Sequence, residues 1–451
     1  FGLHLGAATL KVFQIEIGKH ASKIVGFGSA PIPKTVILNG EILNKDTLVS
    51  LIRHTVDNPG YGRISAKYAM LSVSESKSFL RVIHIPEMNE QEAENAILFE
   101  AEAYIPLPMD QVYFDWQILR KDNGRMEVLI MAVPKDHVDQ LLGVFDEAGI
   151  KILGIEIESQ SLSRAVINQS EPINSLIVDI DASKTTMMTV VKGTVSFTAV
   201  AQVGGNSITQ AIADGLEMTV EKAETIKRKT GIVNVPDYPN MRTKLKPVLN
   251  NLSSEVKNVL RFYYEHNADH LDQVILTGSN AKLKHLDEYF ADALIEFGPL
   301  KVVVANPFEN LPPIKDSPLS SYEALGYTTP LGLAMRSSDQ GSIRLPNLLP
   351  KLKQQQLKDE GFLRSVSKAG ALGVASLVIV GLIQLATGVY LSRAQTRAVE
   401  NIEQIKKQIS KDENTQLKNQ IKEVNNQLKD FSDLNQIAPS WSKVVRLFSE
   451  K

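Results

Sequence analysis

The chain has no cysteine in 451 residues, which excludes disulfides, thiolate metal sites and cysteine nucleophiles. That absence fits a reducing compartment. Excess charge is missing too: 49 Lys and Arg stand against 51 Asp and Glu, so no basic field points to nucleic acid. A starting methionine is also lacking. The chain opens on Phe1, already inside an apolar alternation, and is expected to be a fragment at its N-terminus. Hydrophobic and charged contents of 43% and 22% are those of a folded protein, with room for two to four domains or subdomains.

One uninterrupted apolar run stands out. Ala369 to Leu391 (AGALGVASLVIVGLIQLATGVYL) holds 23 residues without a charge, and only Ser376, Gln384 and Thr387 are plainly polar. As a helix it extends roughly 34 Å, enough to cross a hydrocarbon core of about 30 Å. Lys368 and Arg393 bracket it, and Tyr390 suits an interface. Core helices rarely run this long without a charge, and the run lies too late in the chain to be a signal peptide. A single membrane span over 369–391 is expected.

The chain opens on FGLHLG and LKVFQIEI, alternating runs joined at Gly6, Ala7, Ala8 and Thr9, which predict a β-hairpin. KIVGFGSAPIP and Val36–Leu43 continue the sheet, Thr47–Val56 has helical spacing, and Tyr68–Ile85 alternates again. From Pro86 the texture changes. Glu87, Glu90, Glu92 and Glu94 load the first turns of a helix through Ala103, as a solvated face and not an acid–base pair, since no nucleophile or metal ligand accompanies them. Pro106 and Pro108 end it. Strands are expected at 112–119 and 126–133 around the turn Lys121–Gly124, then a helix at Lys135–Ala148 and a strand at Ile150–Ile157.

The opening pattern then recurs. SLIVDIDASKTTMMTVV followed by GTVSFTAVA is again strand, small-residue turn, strand, and it suggests two related halves around a cleft. Helices follow at Asn206–Leu216 and Val220–Lys229, a loop at Pro236–Pro247, and a long helix at Leu249–Ala268. A strand at Gln273–Leu276 then meets Thr277–Asn280 and a helix at Leu283–Ala293, and Ser321–Arg336 closes the globular part.

Two strand–turn–strand units and a late strand–Gly–helix unit resemble the actin-like nucleotide-binding superfamily, an α/β fold of duplicated ribonuclease H type. Three stretches narrow the resemblance: IPEMNEQEAENAILFEAEAYIPLP, VPKDHVDQLLGVFDEAGIKILGIEIESQSLSRA and VGGNSITQAIADGLEMTVEKAETIK. In order and spacing they resemble the PilM family of type IV pilus assembly proteins, relatives of FtsA, over about 1–336. The resemblance implies a first actin-like half starting at 1–77 and an inserted small α/β subdomain at 78–160. The remainder of the first half and the second half would occupy 161–336.

It also implies phosphate contacts at Gly6, Ala7, Ala8 and Thr9 and at Asp179, Ala182, Ser183 and Thr185. Gly204 and Gly205 would support the adenosine side, Glu224 and Lys227 would reach ribose or base, and Gly278 and Ser279 would line the purine. The implied cofactor is ATP with Mg²⁺. By themselves, Glu224 and Lys227 also read as an i, i+3 ion pair. The chain departs from the family's turns. His4-Leu5-Gly6 stands where Asp-x-Gly is usual, and a neutral imidazole suits Mg²⁺ poorly, so His4 reads as an inert strand histidine. Asp179-Ile180-Asp181 replaces a second Asp-x-Gly, placing a carboxylate where phosphates approach. Ser279 replaces a glycine. No catalytic residue and no protein-held metal site is assigned, and ATP hydrolysis is expected to be weak or absent.

IRLPNLLPKLKQQQ resembles the N-terminal motif of PilN, whose Asn-Leu-Leu-Pro core docks onto PilM; here that core is Asn347, Leu348, Leu349 and Pro350. An ordinary Pro-rich linker is the alternative. Extended leucines held out of helix by proline suit a groove; the resemblance implies one between the inserted subdomain and the first half, which makes the region around Tyr104–Pro108 a candidate wall. A PilN-like peptide and basic linker would thus fill 337–368. After the span, Val399, Ile402, Ile405 and Ile409, then Leu417, Ile421, Val424, Leu428 and Phe431, predict a coiled coil over 394–435, interrupted at Asp412–Gln416. A lone amphipathic helix is the alternative. Residues 436–451, with APSWSKVVRLF, resemble the start of a periplasmic domain that is missing beyond Lys451.

Five basic residues before the span and five after it leave the positive-inside rule undecided. The resemblance places 1–368 in the cytoplasm and 392–451 outside the inner membrane. It implies an oligomeric assembly platform that joins a PilN-type peptide, in cis or in trans, to a PilO-like membrane protein and to pilus motor and platform proteins, with no nucleic acid. A type II secretion platform protein of the GspL kind has the same layout. An active ATPase or sugar kinase of the superfamily would need an acidic first turn, which His4 denies, and an FtsA-like role would end in a short amphipathic helix.

Overall fold

The computed structural model describes residues 1–38, 40–122, 124–266, 269–338, 345–409 and 415–437. The chain divides into two compact units, Phe1–Leu357 and Lys358–Lys451.

The first unit is built on a repeated sheet. Its first half contains β1 (Gly2–Leu5), β2 (Thr9–Ile17), β3 (Ser22–Pro31), the short pair β4 (Ile37–Leu38) and β5 (Glu41–Ile42), α1 (Lys45–Asp57), β6 (Tyr61–Gly62) and β7 (Tyr68–Val73). An insertion follows: β8 (Phe79–Pro86), α2 (Glu90–Glu102), β9 (Val112–Asp122) and β10 (Arg125–Pro134), in a separate sheet of order β8-β10-β9. Then come α3 (Lys135–Ala148), β11 (Lys151–Ile157) and α4 (Glu158–Val166). The second half contains β12 (Ser175–Ile180), β13 (Thr185–Val191), β14 (Thr194–Ala201), α5 (Gly205–Gly215), α6 (Val220–Thr230), α7 (Met241–His266), β15 (Gln273–Thr277), α8 (Leu286–Ala293) and β16 (Lys301–Val304). Helices α9 (Ser321–Ala324) and α10 (Thr328–Ser338) complete it.

The duplication is a matter of strand order. In the first half β1 pairs antiparallel with β2, β2 antiparallel with β3, and β7 and β11 add in parallel beside β1. In the second half β12, β13, β14, β15 and β16 repeat those four relations. Period-two alternation explains why each sheet carries helices on both faces. Leu10 and Val12 of β2 join the core that contains Leu48 and Ile52 of α1, while Phe13 and Ile15 join Leu331 and Ala334 of α10 on the other face. Likewise Val274 and Leu276 of β15 face one core and Ile275 another.

Four expectations change. The segment at Val36–Leu43 forms its own two-stranded ribbon and does not extend the sheet. The insertion is narrower than 78–160: β11 pairs with β7, and Val138, Leu141 and Phe145 of α3 lie in the first half's core. Helix α7 begins at Met241 and carries Pro247 inside it, where a loop was expected. Buried Met241 and Leu245 before the proline and Leu249 after it supply packing that offsets a cost of roughly 3 kcal/mol. The helix expected from Leu283 starts at Leu286. Of the turn Lys121–Gly124, Asn123 lies outside the described residues.

Helix α11 (Lys351–Ile409) contains the expected span, and over Ser376–Lys407 it is long and apolar enough to cross a membrane, with Leu377, Leu382 and Leu385 exposed. In the second unit, Ile402 and Ile405 of α11 and Val424, Leu428 and Phe431 of α12 (Thr415–Ile437) line one groove. Val399, Leu428 and Phe431 are exposed, so these three positions of the expected seam are uncovered. The interruption at Asp412–Gln416 lies outside the described residues up to 414, as does all of 438–451.

Helix α10 sits against β1 and α4 with no room to spare. A Cβ on Gly332 would stand 1.8 Å from the Ser161 carbonyl oxygen, and one on Gly2 would stand 1.8 Å from that of Pro330. Gly332→Ala is expected to cost about 1–3 kcal/mol through forced backbone displacement. Urea unfolding combined with hydrogen exchange of α4 and α10 checks this; wild-type exchange in both helices would contradict it.

Candidate functional site

A cleft of about 1000 Å³ lies between the two halves of the first unit. The hairpin turns of both halves meet on it. In the first turn the Gly6 amide donates to the Thr9 carbonyl at 2.9 Å, and Thr9 lines the cleft with its buried hydroxyl unpaired. In the second turn the Asp181 amide donates to the Lys184 carbonyl at 3.0 Å, and Asp181 and Ala182 face the cleft while Ser183 is exposed.

Three of the predicted glycines serve the packing of loops. Gly205 donates its amide to the Asp181 carbonyl at 2.9 Å, and a Cβ there would strike Asn280 at 2.2 Å. A Cβ on Gly204 would lie 2.7 Å from the Asp181 carbonyl oxygen. Gly278 has φ +90, and a Cβ would meet Asp179 Oδ1 at 2.4 Å, so both conformation and space require glycine. Thr185 is turned to structure: its hydroxyl donates to the Val203 carbonyl at 2.7 Å.

Glu224 and Lys227 do line the cleft, and they form the i, i+3 pair at 2.7 Å. Buried Lys227 also donates to the Gly205 carbonyl at 3.0 Å and to Thr209 Oγ1 at 2.8 Å. Burial opposes charge on Glu224, but hydrogen bonds from Lys227, Thr209 and Arg228 pull its pKa down to about 2. Lys227 is thus committed to holding α6 against α5, while Glu224 bridges the same helices through Thr209 at 2.6 Å.

Asp181 is the centre of the cleft floor. Lys11 of β2 approaches its Oδ1 at 3.4 Å, Ser279 Oγ donates to the same oxygen at 3.1 Å, and Asn280 Nδ2 donates to its carbonyl at 3.1 Å. Burial opposes its charge, yet Lys11 holds the carboxyl well below the usual carboxylate range. Asp179, behind it, has no such partner among the described residues: burial, then the charge of Asp181, pushes it up to about 7. His4 is buried, and burial depresses its pKa, so the ring is neutral with Nδ1 2.9 Å from Ser72 Oγ. That agrees with an inert strand histidine. Lys11, Thr209 and Asn280 escaped the sequence reading; the lone charge within LKVFQI was the one available signal for Lys11.

A second site lies at the edge of the first sheet. β11 is its outermost strand, and its pairing with β7 skips Leu153 as a bulge. The next outward-facing groups are taken by the tail. The Ile155 amide donates to Asn347 Oδ1 at 2.9 Å, and the Leu348 amide donates to the Ile155 carbonyl at 2.9 Å. The Asn347 amide donates to Asp115 Oδ2 of the insertion at 2.7 Å. Leu348 and Leu349, 1% and 2% exposed, enter the first half's core. Behind them Glu156 is fully buried between Arg164 (2.7 Å) and Arg336 (2.5 Å), and Arg336 donates to the Pro346 carbonyl at 2.6 Å. From the insertion's side the contact shown is that of Asp115, while Ile105, within the expected wall Tyr104–Pro108, belongs to the insertion's own core.

Ionising Asp179 penalises folding. Its ordinary value is 3.8 and its folded value about 7, so the penalty is absent below the first, grows between the two, and is complete above the second. Asp179→Asn is therefore expected to match the wild type at pH 4 and to exceed it in urea midpoint at pH 8. Equal gaps at both pH values would contradict the assignment.

The family model described as type IV pilus assembly protein PilM matches residues 2–338. The cell division protein FtsA of Bacillus subtilis (strain 168) is 23% identical over 265 residues, covering 51% of this chain and 57% of FtsA. FtsA of Streptococcus pneumoniae serotype 2 is 22% identical over 267 residues, covering 54% and 57%. The chain spans little more than half the length of these curated relatives. A solved PilM–PilN type IV pilus biogenesis complex matches with TM-score 0.60 at 23% identity, over 75% of this chain and 98% of that one, a likeness of fold. With both duplicated sheets and the insertion inside the matched span, the fold is actin-like and the chain belongs to the PilM family of type IV pilus assembly proteins.

Proposed function

We propose that this chain is a membrane-anchored platform of type IV pilus assembly, in which the actin-like unit holds Asn347–Pro350 as a PilN-type segment. The observation that carries the reading is the engagement of that segment at β11. Its side-chain amide and backbone satisfy an open strand edge, and its two leucines are withdrawn from water. Helix α11 starts one residue after Pro350 and runs through the apolar stretch. A force on the membrane segment would thus reach the globular unit through this docked peptide. Residues before the span would be cytoplasmic and those after it extracytoplasmic, facing PilO-like and motor partners.

In this reading the cleft takes an adenine nucleotide and hydrolyses it weakly or not at all. Lys11, Arg228 and Lys282 bring positive charge to the lining, and Thr9 offers an unpaired hydroxyl. Burial and then the charge of Arg228 lower the pKa of Lys282, as expected of a cationic pocket suited to phosphates. These residues fit a polyphosphate. A divalent cation fits poorly: Asp181 is already paired with Lys11, and among the described residues no three His, Asp or Glu side chains form a group that could hold a metal ion.

Burying each leucine is worth about 1.5–3 kcal/mol. The double substitution Leu348→Asp, Leu349→Asp is therefore expected to release the segment and expose 345–357 to protease in the full chain in detergent micelles. Unchanged protection in the double variant would refute the docking role.

A further inference from the structure

The two halves exchange lysines beneath the cleft. Lys184, at the end of the second half's turn, sends its Nζ to Glu158 Oε2 at 2.7 Å and to Ser74 Oγ at 2.7 Å. Both acceptors belong to the far side: Ser74 follows β7, and Glu158 opens α4 directly after β11. Lys11, on the first half's β2, runs the other way to Asp181 at 3.4 Å. Lys184 and Glu158 are 8% and 5% exposed, so the first of these pairs is shielded from water and from salt screening. The neutral ring of His4 stands between the pairs, 3.8 Å from Glu158.

We infer that Lys11 and Lys184 occupy the electrostatic role of a divalent cation, so that this cleft takes the phosphates of a metal-free nucleotide. The inference rests on the nucleotide reading above and adds the form in which the nucleotide is bound. A hydrated Mg²⁺ needs an octahedron of oxygens; Asp181, the carboxylate on the cleft floor, is held by Lys11, and Glu158, buried beneath it, is held by Lys184 through Oε2 while its Oε1 makes no hydrogen bond. Two positive charges already match two negative ones there, and Glu75 and Asp179 are pushed by burial toward their neutral forms. A further double charge would have to displace buried Lys184, leaving an ammonium without its carboxylate in a site of low dielectric. Lys11, by contrast, lines the cleft itself and can meet an incoming phosphate without leaving Asp181.

Calorimetric titration of the full chain in detergent with ATP, once in EDTA and once in Mg²⁺, tests this, together with water-proton relaxation using Mn²⁺. The expected result is binding in EDTA within about threefold of that in Mg²⁺, with no protein-bound Mn²⁺. In the double variant His4→Asp, Lys184→Ala, which restores a carboxylate and removes the ammonium, Mg²⁺ is expected to tighten ATP about tenfold. Wild-type binding that is about tenfold tighter in Mg²⁺, or Mn²⁺ held by the wild-type complex, overturns the inference and leaves the nucleotide reading standing. Absence of ATP binding in both buffers overturns the nucleotide reading and this inference with it. Should the double variant not fold, the wild-type arms decide alone.

Discussion

Glu156 is the constraint on which the first unit depends. Its carboxylate is fully buried on β11, an environment that opposes charge, and it stays ionised because Arg164 and Arg336 close on it from α4 and α10. One carboxylate therefore ties together the outer strand of the first sheet, the helix leading to the second half and the helix that closes the fold. Arg336 then reaches the tail carbonyl of Pro346. Removing one partner of such a buried set strands the rest, at a cost of about 3–5 kcal/mol.

The same stretch of chain serves the cleft. Glu156 faces the arginines and Glu158, two residues on, receives Lys184 from the second half. Strand β11 and the start of α4 thus carry two buried carboxylates with opposite duties: one holds the tail site, the other holds the two halves together. Helix α10 lies against β1, β2 and α4 between those duties, packed so closely at Gly332 that a methyl group has no space. Tail and cleft share a frame of short, charge-assisted contacts.

Much of this was legible from local pattern. Alternation in LKVFQIEI and SLIVDI marks strands because a side-chain period of two is a local property, and the small residues of both turns mark where backbones approach. Other features were not legible. The strand at Lys151–Ile157 was recognisable as a strand, but nothing within it says that it joins β7 and not the insertion. Pro247 suggested a loop because proline's local cost is visible, while the burial of Met241 and Leu245 that outweighs it is not. Glycines 204, 205 and 278 are expected at the adenosine side, and nothing local says that Asp181, Asn280 and Asp179 pack against them.

By itself the sequence determined the alternating hairpins, their repetition, the absence of thiol chemistry, the apolar length of 369–391 and the extended Asn347–Pro350 segment. All of these follow from the order of residues within one element. The tertiary structure alone decided that Lys11 meets Asp181 across 170 positions, and that Asn347 finds the edge of β11 across 192. Such pairings depend on where two folded sheets bring distant side chains. Periodicity states which face of an element is buried, and the opposite face of the closed fold supplies the partner.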